Sequence, residues 1–280
     1  MSSPNAFPPI ITFLSDYGSA DEFAGVCRAV IARVCPRARV IDITHGIPPH
    51  DVRAGALVLA GAIPYLPAGV HLAVVDPGVG AREGAAARRA VALRTGREGH
   101  LLVGPDNGLL MPAAARLEGV AEAVDISDSP RRLQPTSRTF HGRDLFAPVA
   151  AALAAGEPLA GLGRPLASGQ LGELELPQAR LSGDRLLAHV LHCDHFGNVI
   201  LDATSAQLAA LGAGLGERVS VSHRGRTVSA LHAGTFAEAP VGELLIYEDA
   251  QRMIALAVNR GSAAKALGAS RDDALQISAA

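Results

Sequence analysis

The chain has 280 residues, of which 49% are hydrophobic and 19% charged, and its formal net charge is −2. This length fits one large domain or two modest ones, at roughly 100–200 residues per domain, and the composition argues against intrinsic disorder. The near-neutral charge without a basic tract disfavours a nucleic-acid-binding protein, and the sequence has no apolar run of the length that predicts a transmembrane helix.

The first nine residues show neither a basic segment nor an apolar one, so we expect no signal peptide. Cys27, Cys35 and Cys193 are scattered and form neither a CxxC motif nor a zinc spacing. Reduced thiols of this kind are typical of a cytoplasmic protein. We therefore expect a cytoplasmic protein without a membrane partner, a metal or a cofactor.

Strand and helix patterns alternate over the first 155 residues. Apolar runs predict strands at residues 10–14, 40–43, 70–75, 90–93 and 101–103. One helix follows a possible Ser19–Glu22 capping box, the next is capped by Asp51, and a third covers residues 145–155. This alternation predicts an α/β fold with a mostly parallel sheet flanked by helices.

The second half of the chain has a different character. Residues 156–180 are rich in Gly, Pro and Leu and show no sustained period. From residue 186, short β-like runs separated by turns predict a small all-β sandwich or barrel. We therefore divide the chain into an α/β domain (1–168), a connector (169–185) and a β domain (186–280).

Ligands of parallel sheets bind at the carboxyl ends of the strands, so the turns after the strands are the first candidates. Asp16 follows the first strand and could accept hydrogen bonds from a ribose diol, although a turn or helix-capping role explains it as well. Asp76 begins an Asp-Pro-Gly-Val-Gly turn that presents its carboxylate where a ligand can approach. A structural turn remains the alternative there.

Three further stretches carry polar groups. His141, in Thr-Phe-His-Gly-Arg-Asp, could be a general base or an orienting donor, and Asp144 could cap the following helix. In the β half, Phe196 could stack on a flat ring and Asn198 could bind an adenine edge. Arg260 could clamp a carboxylate. A turn or a solvated surface explains each of these stretches equally well.

Seven stretches, in order through nearly the whole chain, resemble the S-adenosyl-L-methionine (SAM) hydroxide adenosyltransferases, which are relatives of fluorinase and chlorinase. The resemblance implies an α/β N-terminal domain, a β-barrel-like C-terminal domain and a homotrimer. It places the ligand between the N-terminal domain of one subunit and the C-terminal domain of its neighbour. The implied activity is hydrolysis of SAM to adenosine and L-methionine. The matching stretches are residues 15–21, 40–49, 74–80, 103–110, 139–146, 194–200 and 258–261.

The resemblance also assigns substrate contacts. It implies that one carboxylate holds the ribose hydroxyls, two hold the methionine amino group, an amide reads adenine and an arginine meets the methionine carboxylate. Phe196 is the candidate for contact with adenine, and Asn259 is grouped with the neighbouring arginine. Asp16 is the carboxylate for the ribose hydroxyls, and Asp21 and Asp194 are the two for the amino group. Asn198 is the amide for adenine, and Arg260 is the arginine for the methionine carboxylate.

Hydrolases of this family use an Asp–Arg–His set beside the water, and Asp76 and His141 match two of its members. The arginine is Arg88 when counted back from the following strand and Arg82 when counted forward from Gly80. We favour Arg88, because strand register fixes position better than loop length does. Our hypothesis is that Asp76 and His141 hold and partly deprotonate the water while the arginine fixes Asp76.

Two other functions compete with hydrolysis. A SAM or adenosine sensor would keep the binding residues but would not need the Asp–Arg–His set. A SAM-dependent halogenase is disfavoured, because halogenases carry Tyr in place of Asp76 and fluorinase carries Ser in place of Gly142. A carboxylate beside a halide would repel it in a low-dielectric pocket.

Overall fold

The computed structural model describes residues 8–81 and 88–280, and the chain divides into two compact units between Leu174 and Glu175. The first unit is a sheet with helices on its two faces, and the second is a small β-barrel. These architectures confirm the predicted α/β class and the barrel-like C-terminal part. None of the helices described here is long and apolar enough to cross a membrane.

The sheet of the first unit has the strand order β2-β1-β3-β5-β4-β6-β7 within the described residues. The pairs β1–β2, β1–β3 and β3–β5 are parallel, whereas β4 pairs antiparallel with β5 and β6. The short turn between β4 and β5 explains this change, since a tight connection permits only antiparallel pairing. The strands are β1 (Ile10–Ser15), β2 (Arg39–Thr44), β3 (Gly69–Val74), β4 (Ala90–Thr95), β5 (His100–Pro105), β6 (Val120–Asp125) and β7 (Arg164–Leu166).

The helices of this unit bury the two faces of its sheet in separate cores. Helices α1 (Phe23–Val34) and α4 (Ala147–Ala154) share one core, and α2 (Val52–Ala62) and α3 (Met111–Arg116) contribute to the other. The predicted cap of α2 is confirmed, because Asp51 Oδ1 accepts a 3.0 Å hydrogen bond from the Ala54 amide. The predicted capping box of α1 is wrong, since that helix begins without a side-chain cap.

The second unit is closed into a barrel by one additional strand pairing. Its sheet runs β10-β14-β13-β12-β11-β15-β9-β8, and β10 also pairs with β9, which joins seven of these strands in a ring. Two short helices, α5 (Ser205–Ala209) and α6 (Ala263–Leu267), accompany it. The strands are β8 (Arg180–Ser182), β9 (Arg185–Cys193), β10 (Val199–Leu201), β11 (Arg218–His223), β12 (Arg226–His232), β13 (Leu244–Glu248), β14 (Ile254–Val258) and β15 (Ala274–Ala279).

A hydrogen-bonded row of polar side chains crosses the parallel half of the first sheet. His71, fully buried on β3, bonds to Thr12 through Nδ1 and to His100 Nδ1 through Nε2, both at 2.9 Å. Burial, together with the neighbouring His100, lowers the pKa of His71 to about 3. His71 therefore stays neutral in the folded protein at pH values where an unfolded histidine takes up a proton.

We expect this row to make stability depend on pH below about 6.5. The unfolded chain binds a proton at His71 below its ordinary pKa and the folded chain does not, so stability is lost as the pH falls. Between pH 6.5 and 5 the loss from His71 is about 2 kcal/mol. Urea unfolding should show this loss in the wild type and in His195→Gln, an exposed control, and a smaller one in His71→Gln. Equal pH slopes for all three proteins would contradict this account.

Candidate active site

Asp76 lies two residues beyond β3, at the carboxyl edge of the parallel strands, and the neighbouring turns hold it there. Asn107, in the turn after β5, donates from Nδ2 to the Val75 carbonyl oxygen at 2.9 Å. Gly80 has φ +78°, and a Cβ on it would overlap the carbonyl oxygen of Arg138. A glycine is therefore required where this turn touches the segment that leads to His141.

The side chains of Asp76, Arg88 and His141 form one contact cluster. Arg88 Nε donates to Asp76 Oδ1 at 2.8 Å, its Nη2 donates to Oδ2, and the same Nη2 lies 3.2 Å from His141 Nδ1. The Arg88 and Asp76 side chains are only 9% and 6% exposed, and the guanidinium lies 5.5 Å from the centroid of the Phe146 ring. The structure thus brings Arg88 to the site, whereas the alternative, Arg82, lies outside the described residues.

The contact with Arg88 fixes which nitrogen of His141 carries the proton. A guanidinium only donates hydrogen bonds, so Nδ1 must be the acceptor and the ring proton must lie on Nε2. Burial, and then the positive charge of Arg88, lower the pKa of His141 below its ordinary value. At neutral pH His141 is therefore an uncharged imidazole, and its Nε2–H donor has no partner among the described residues.

A π-helical turn, Gly142–Phe146, follows His141 and leads into α4. Insertions of this kind in helices are frequent at functional sites. Asp144 does not cap a helix, so that prediction is wrong. Its carboxylate accepts from the Ser137 amide at 2.7 Å and from both Nε and Nη2 of Arg143 instead. These bonds tie the segment before His141 to the turn after it.

A cavity of about 250 Å³ opens beside this cluster. Asp16 lies in its wall, and Asp16 Oδ2 accepts a 2.9 Å hydrogen bond from the amide of His50. Asp21 is exposed and does not line the cavity. Tyr17 and Thr139 line it without having been identified from the sequence, because neither carries a charge. The lining residues are Asp16, Tyr17, Phe23, Pro49, His50, Asp76, Val79, Thr139, His141 and Gly142.

A second cavity, of about 700 Å³, lies in the barrel unit. Asp194 organises the turn at its wall: its Oδ1 accepts from the amides of Phe196 and Asn198, and its Oδ2 accepts from Asn198 Nδ2 at 2.7 Å. The Phe196 ring is 76% exposed, and Asn198 is buried. The turn thus presents an aromatic ring and an amide to the cavity.

Arg260 lines the same cavity with φ +58°, while its neighbour Asn259 donates from Nδ2 to the Ala239 carbonyl oxygen at 2.7 Å and does not line it. Phe236 and Tyr247 add two further rings, whose centroids are 5.0 Å apart. These two rings were not predicted as site residues, because they lie outside the motifs and meet only in the folded barrel.

Metal chemistry requires several ligands on one ion. Among residues 8–81 and 88–280, no three His, Cys, Asp or Glu side chains come together in a way that could hold a metal.

The chain combines an α/β unit with a β-barrel unit. The α/β unit carries a polar cluster in a cavity wall at the carboxyl edge of its parallel strands, which is where enzymes of this class bind their substrates. The family models for the SAM hydroxide adenosyltransferase N-terminal and C-terminal domains match residues 11–163 and 188–276. The chain belongs to the SAM hydroxide adenosyltransferase family.

Relatives named (R)-S-adenosyl-L-methionine hydrolase are similar over almost their whole length. The protein from Salinispora arenicola is 50% identical over 98% of this chain and 99% of its own. The one from Thermus thermophilus is 40% identical over 92% and 95%. A fluorinase from Nocardia brasiliensis is 30% identical over 94% and 95%. A crystal structure of an uncharacterized conserved protein from Thermotoga maritima matches with TM-score 0.87 and 34% identity, over 95% of this chain and 99% of that one.

We expect Arg88→Ala to destabilise the protein, because it leaves the Asp76 carboxylate buried without its partner. Removing one partner of a buried ion pair costs about 3–5 kcal/mol. Arg94→Ala is the matched control, since the Arg94–Glu122 pair is about half exposed, and such pairs contribute about 0–1 kcal/mol. Urea unfolding measures both variants, and equal losses would show that the Asp76–Arg88 pair is not effectively buried.

Proposed function

We propose that the protein hydrolyses S-adenosyl-L-methionine to adenosine and L-methionine, with water attacking the ribose C5′ carbon. The observation that carries the proposal is the Asp76–Arg88–His141 cluster in the wall of a cavity that also holds Asp16. The names of its relatives from Salinispora and Thermus support it and favour the (R) epimer at the sulfonium sulfur.

Asp16 and the barrel residues hold the substrate in this proposal. Asp16 binds the ribose hydroxyls through Oδ1, which accepts none of the hydrogen bonds that the described residues make. Phe196 contacts the adenine ring and Asn198 binds its edge. The methionine part lies among charged groups, with its amino group near Asp21 and Asp194 and its carboxylate at Arg260, next to Asn259.

The reaction is an in-line displacement at the ribose C5′ carbon, with water as the nucleophile and the methionine sulfur as the leaving group. A lone pair of the water oxygen forms the new bond to C5′, and the C5′–S bond breaks with its electron pair going to sulfur. The sulfonium thereby becomes the neutral thioether of methionine. One water proton must leave the oxygen, which otherwise stays positively charged. Orienting the water against C5′ supplies several kcal/mol of the barrier.

The roles of the cluster follow from its protonation. His141 is neutral with its proton on Nε2, so it donates a hydrogen bond to the water and does not remove a proton from it. This favours the orienting donor of the two roles that the sequence left open. Asp76 accepts the proton. The protonated alcohol formed by attack is acidic enough for a paired carboxylate to take its proton.

The same groups argue against halide as the nucleophile. The carboxylate of Asp76 repels an anion in a poorly solvated cavity. Gly142 leaves no room for a side chain, because a Cβ there would overlap the Tyr17 hydroxyl oxygen and lie 2.9 Å from Tyr17 Cζ. A seryl group at this position would therefore need a rearranged cavity.

We further propose a homotrimer in which each active site combines the N-terminal unit of one subunit with the C-terminal unit of its neighbour. The resemblance implies this arrangement. The division of the proposed substrate groups between the two units supports it, since Asp16 and Asp76 belong to one unit and Phe196 and Asn198 to the other. We also propose a cytoplasmic location, which the free thiols of Cys27, Cys35 and Cys193 support.

We expect the purified protein to convert the (R) epimer of SAM into adenosine and methionine, faster than the (S) epimer, with or without chloride. Mass spectrometry of the products measures this directly. Formation of 5′-chloro-5′-deoxyadenosine would contradict hydrolysis and favour a halogenase. Tight binding of SAM without turnover would favour a sensor.

Mixed subunits test the shared site. Asp76→Asn disables the N-terminal contribution and Asn198→Ala the C-terminal one, so we expect each homotrimer to be nearly inactive. In co-expressed mixed trimers, about one quarter of the sites would combine two wild-type halves and regain activity. The absence of any recovery, or a gel-filtration mass near that of a monomer, would contradict the proposed trimer.

A further inference from the structure

The hydroxyl of Tyr17 is the unused polar group in the wall of the first cavity. Within the described part of the chain, Tyr17 Oη makes no hydrogen bond, although the residue is only partly exposed and lines the same cavity as Asp76 and His141. The hydroxyl is therefore available to a ligand or a bound water in the cavity, and it can both donate and accept a hydrogen bond.

Aromatic packing holds the Tyr17 ring in place. Its centroid lies 6.4 Å from that of Phe13, 6.0 Å from that of Phe23 and 5.8 Å from that of Phe140. Two of these contacts are edge-to-face, with interplanar angles of 81° and 80°, a favourable arrangement for aromatic pairs. The hydroxyl is therefore a fixed feature of the cavity wall.

The Tyr17 hydroxyl lies against Gly142. A Cβ at residue 142 would overlap Tyr17 Oη and lie 2.9 Å from Cζ and 3.2 Å from Cε2. The φ angle of Gly142 is not positive, so the backbone conformation does not by itself demand glycine. The Tyr17 hydroxyl takes the space of any side chain at 142 and lies beside the residue that follows His141.

We propose that the Tyr17 hydroxyl holds the attacking water together with Asp76 and His141, and that residue 142 is glycine because this hydroxyl occupies the space of a side chain there. The inference rests on the proposed hydrolysis and adds a third water-holding group to it. It also gives a role to the tyrosine of the Ser-Asp-Tyr-Gly stretch, which the sequence did not single out.

Each lone pair and each hydrogen of such a water has a partner in this arrangement. One lone pair of its oxygen faces C5′ and the other accepts from His141 Nε2–H. One of its hydrogens goes to Asp76, and the other to a lone pair of Tyr17 Oη. Burial raises the pKa of Tyr17 well above its ordinary value, and the negative charges of Asp16 and Asp76 act in the same direction. The phenol therefore stays protonated, orients the water and leaves the proton to Asp76.

The first test compares Tyr17→Phe with the wild type. This change keeps the ring and removes only the hydroxyl, so we expect unchanged unfolding, an unchanged KM and a kcat lower by about 10- to 100-fold, the effect of one hydrogen bond to a group that develops charge. Tyr65→Phe is the matched control, because Tyr65 is 78% exposed. A purely structural Tyr17 would lower stability instead and leave kcat in place.

The second test needs no enzyme activity. Gly142→Ala should lower the Tm of the wild-type protein, whereas the same change in a Tyr17→Leu background should cost much less, because leucine ends before the positions of Cζ and Oη. An equal loss in both backgrounds would overturn the assignment of Gly142 to Tyr17.

The outcomes separate this inference from the function on which it rests. A wild-type protein that leaves both SAM epimers intact overturns hydrolysis and the water-holding role together. A wild type that hydrolyses SAM while Tyr17→Phe keeps the same kcat overturns only the role of Tyr17.

Discussion

The ion pair between Asp76 and Arg88 is the interaction on which the rest of the first unit depends. Both side chains are almost completely removed from solvent, and a buried pair gives up hydration that its own attraction only partly replaces. Such a pair is therefore weak evidence for stability and is better explained by what it does. Arg88 fixes both oxygens of Asp76 and, with the same Nη2, the tautomer of His141.

The surrounding backbone is arranged to maintain that pair. Asn107 ties the end of β3 to the turn after β5, and Gly80 lets the Asp76 turn approach Arg138. The Asp144 carboxylate joins the two sides of His141. Three stretches of sequence thus surround the cluster: the turns after β3 and β5, at the carboxyl edge of the parallel strands, and the segment before α4. This is where an α/β sheet brings distant residues together.

Three aspartates that look alike in sequence have different surroundings in the structure. Asp76 bonds to a guanidinium in a cavity wall, Asp16 keeps one oxygen free of described partners, and Asp194 uses both of its oxygens to shape the turn of Phe196. The hydrogen bonds of the Asp194 carboxylate hold the turn that exposes the Phe196 ring. Asp194 therefore has a structural role in addition to any contact with a ligand.

The sequence was sufficient where periodicity or register determines the outcome. The apolar runs of β1 and β3 and the cap of α2 were predicted from local pattern, and the register of β4 was the reason to favour Arg88, which bonds to Asp76. It was insufficient where contacts are made across the fold. The Ser19–Glu22 box failed because the chain before α1 turns toward β2, with the Gly18 amide bonded to the His45 carbonyl oxygen at 2.7 Å. The role proposed for Tyr17 depends on such contacts too.

In the proposed reaction, the cavity beside Asp76 aligns water against the ribose C5′ carbon. Turnover of SAM in oxygen-18 water, followed by mass spectrometry of both products, tests it most directly. We expect the heavy oxygen to appear on the 5′ carbon of adenosine and methionine to stay unlabelled. Unlabelled adenosine, or cleavage to methylthioadenosine with the label in the amino-acid product, would contradict it.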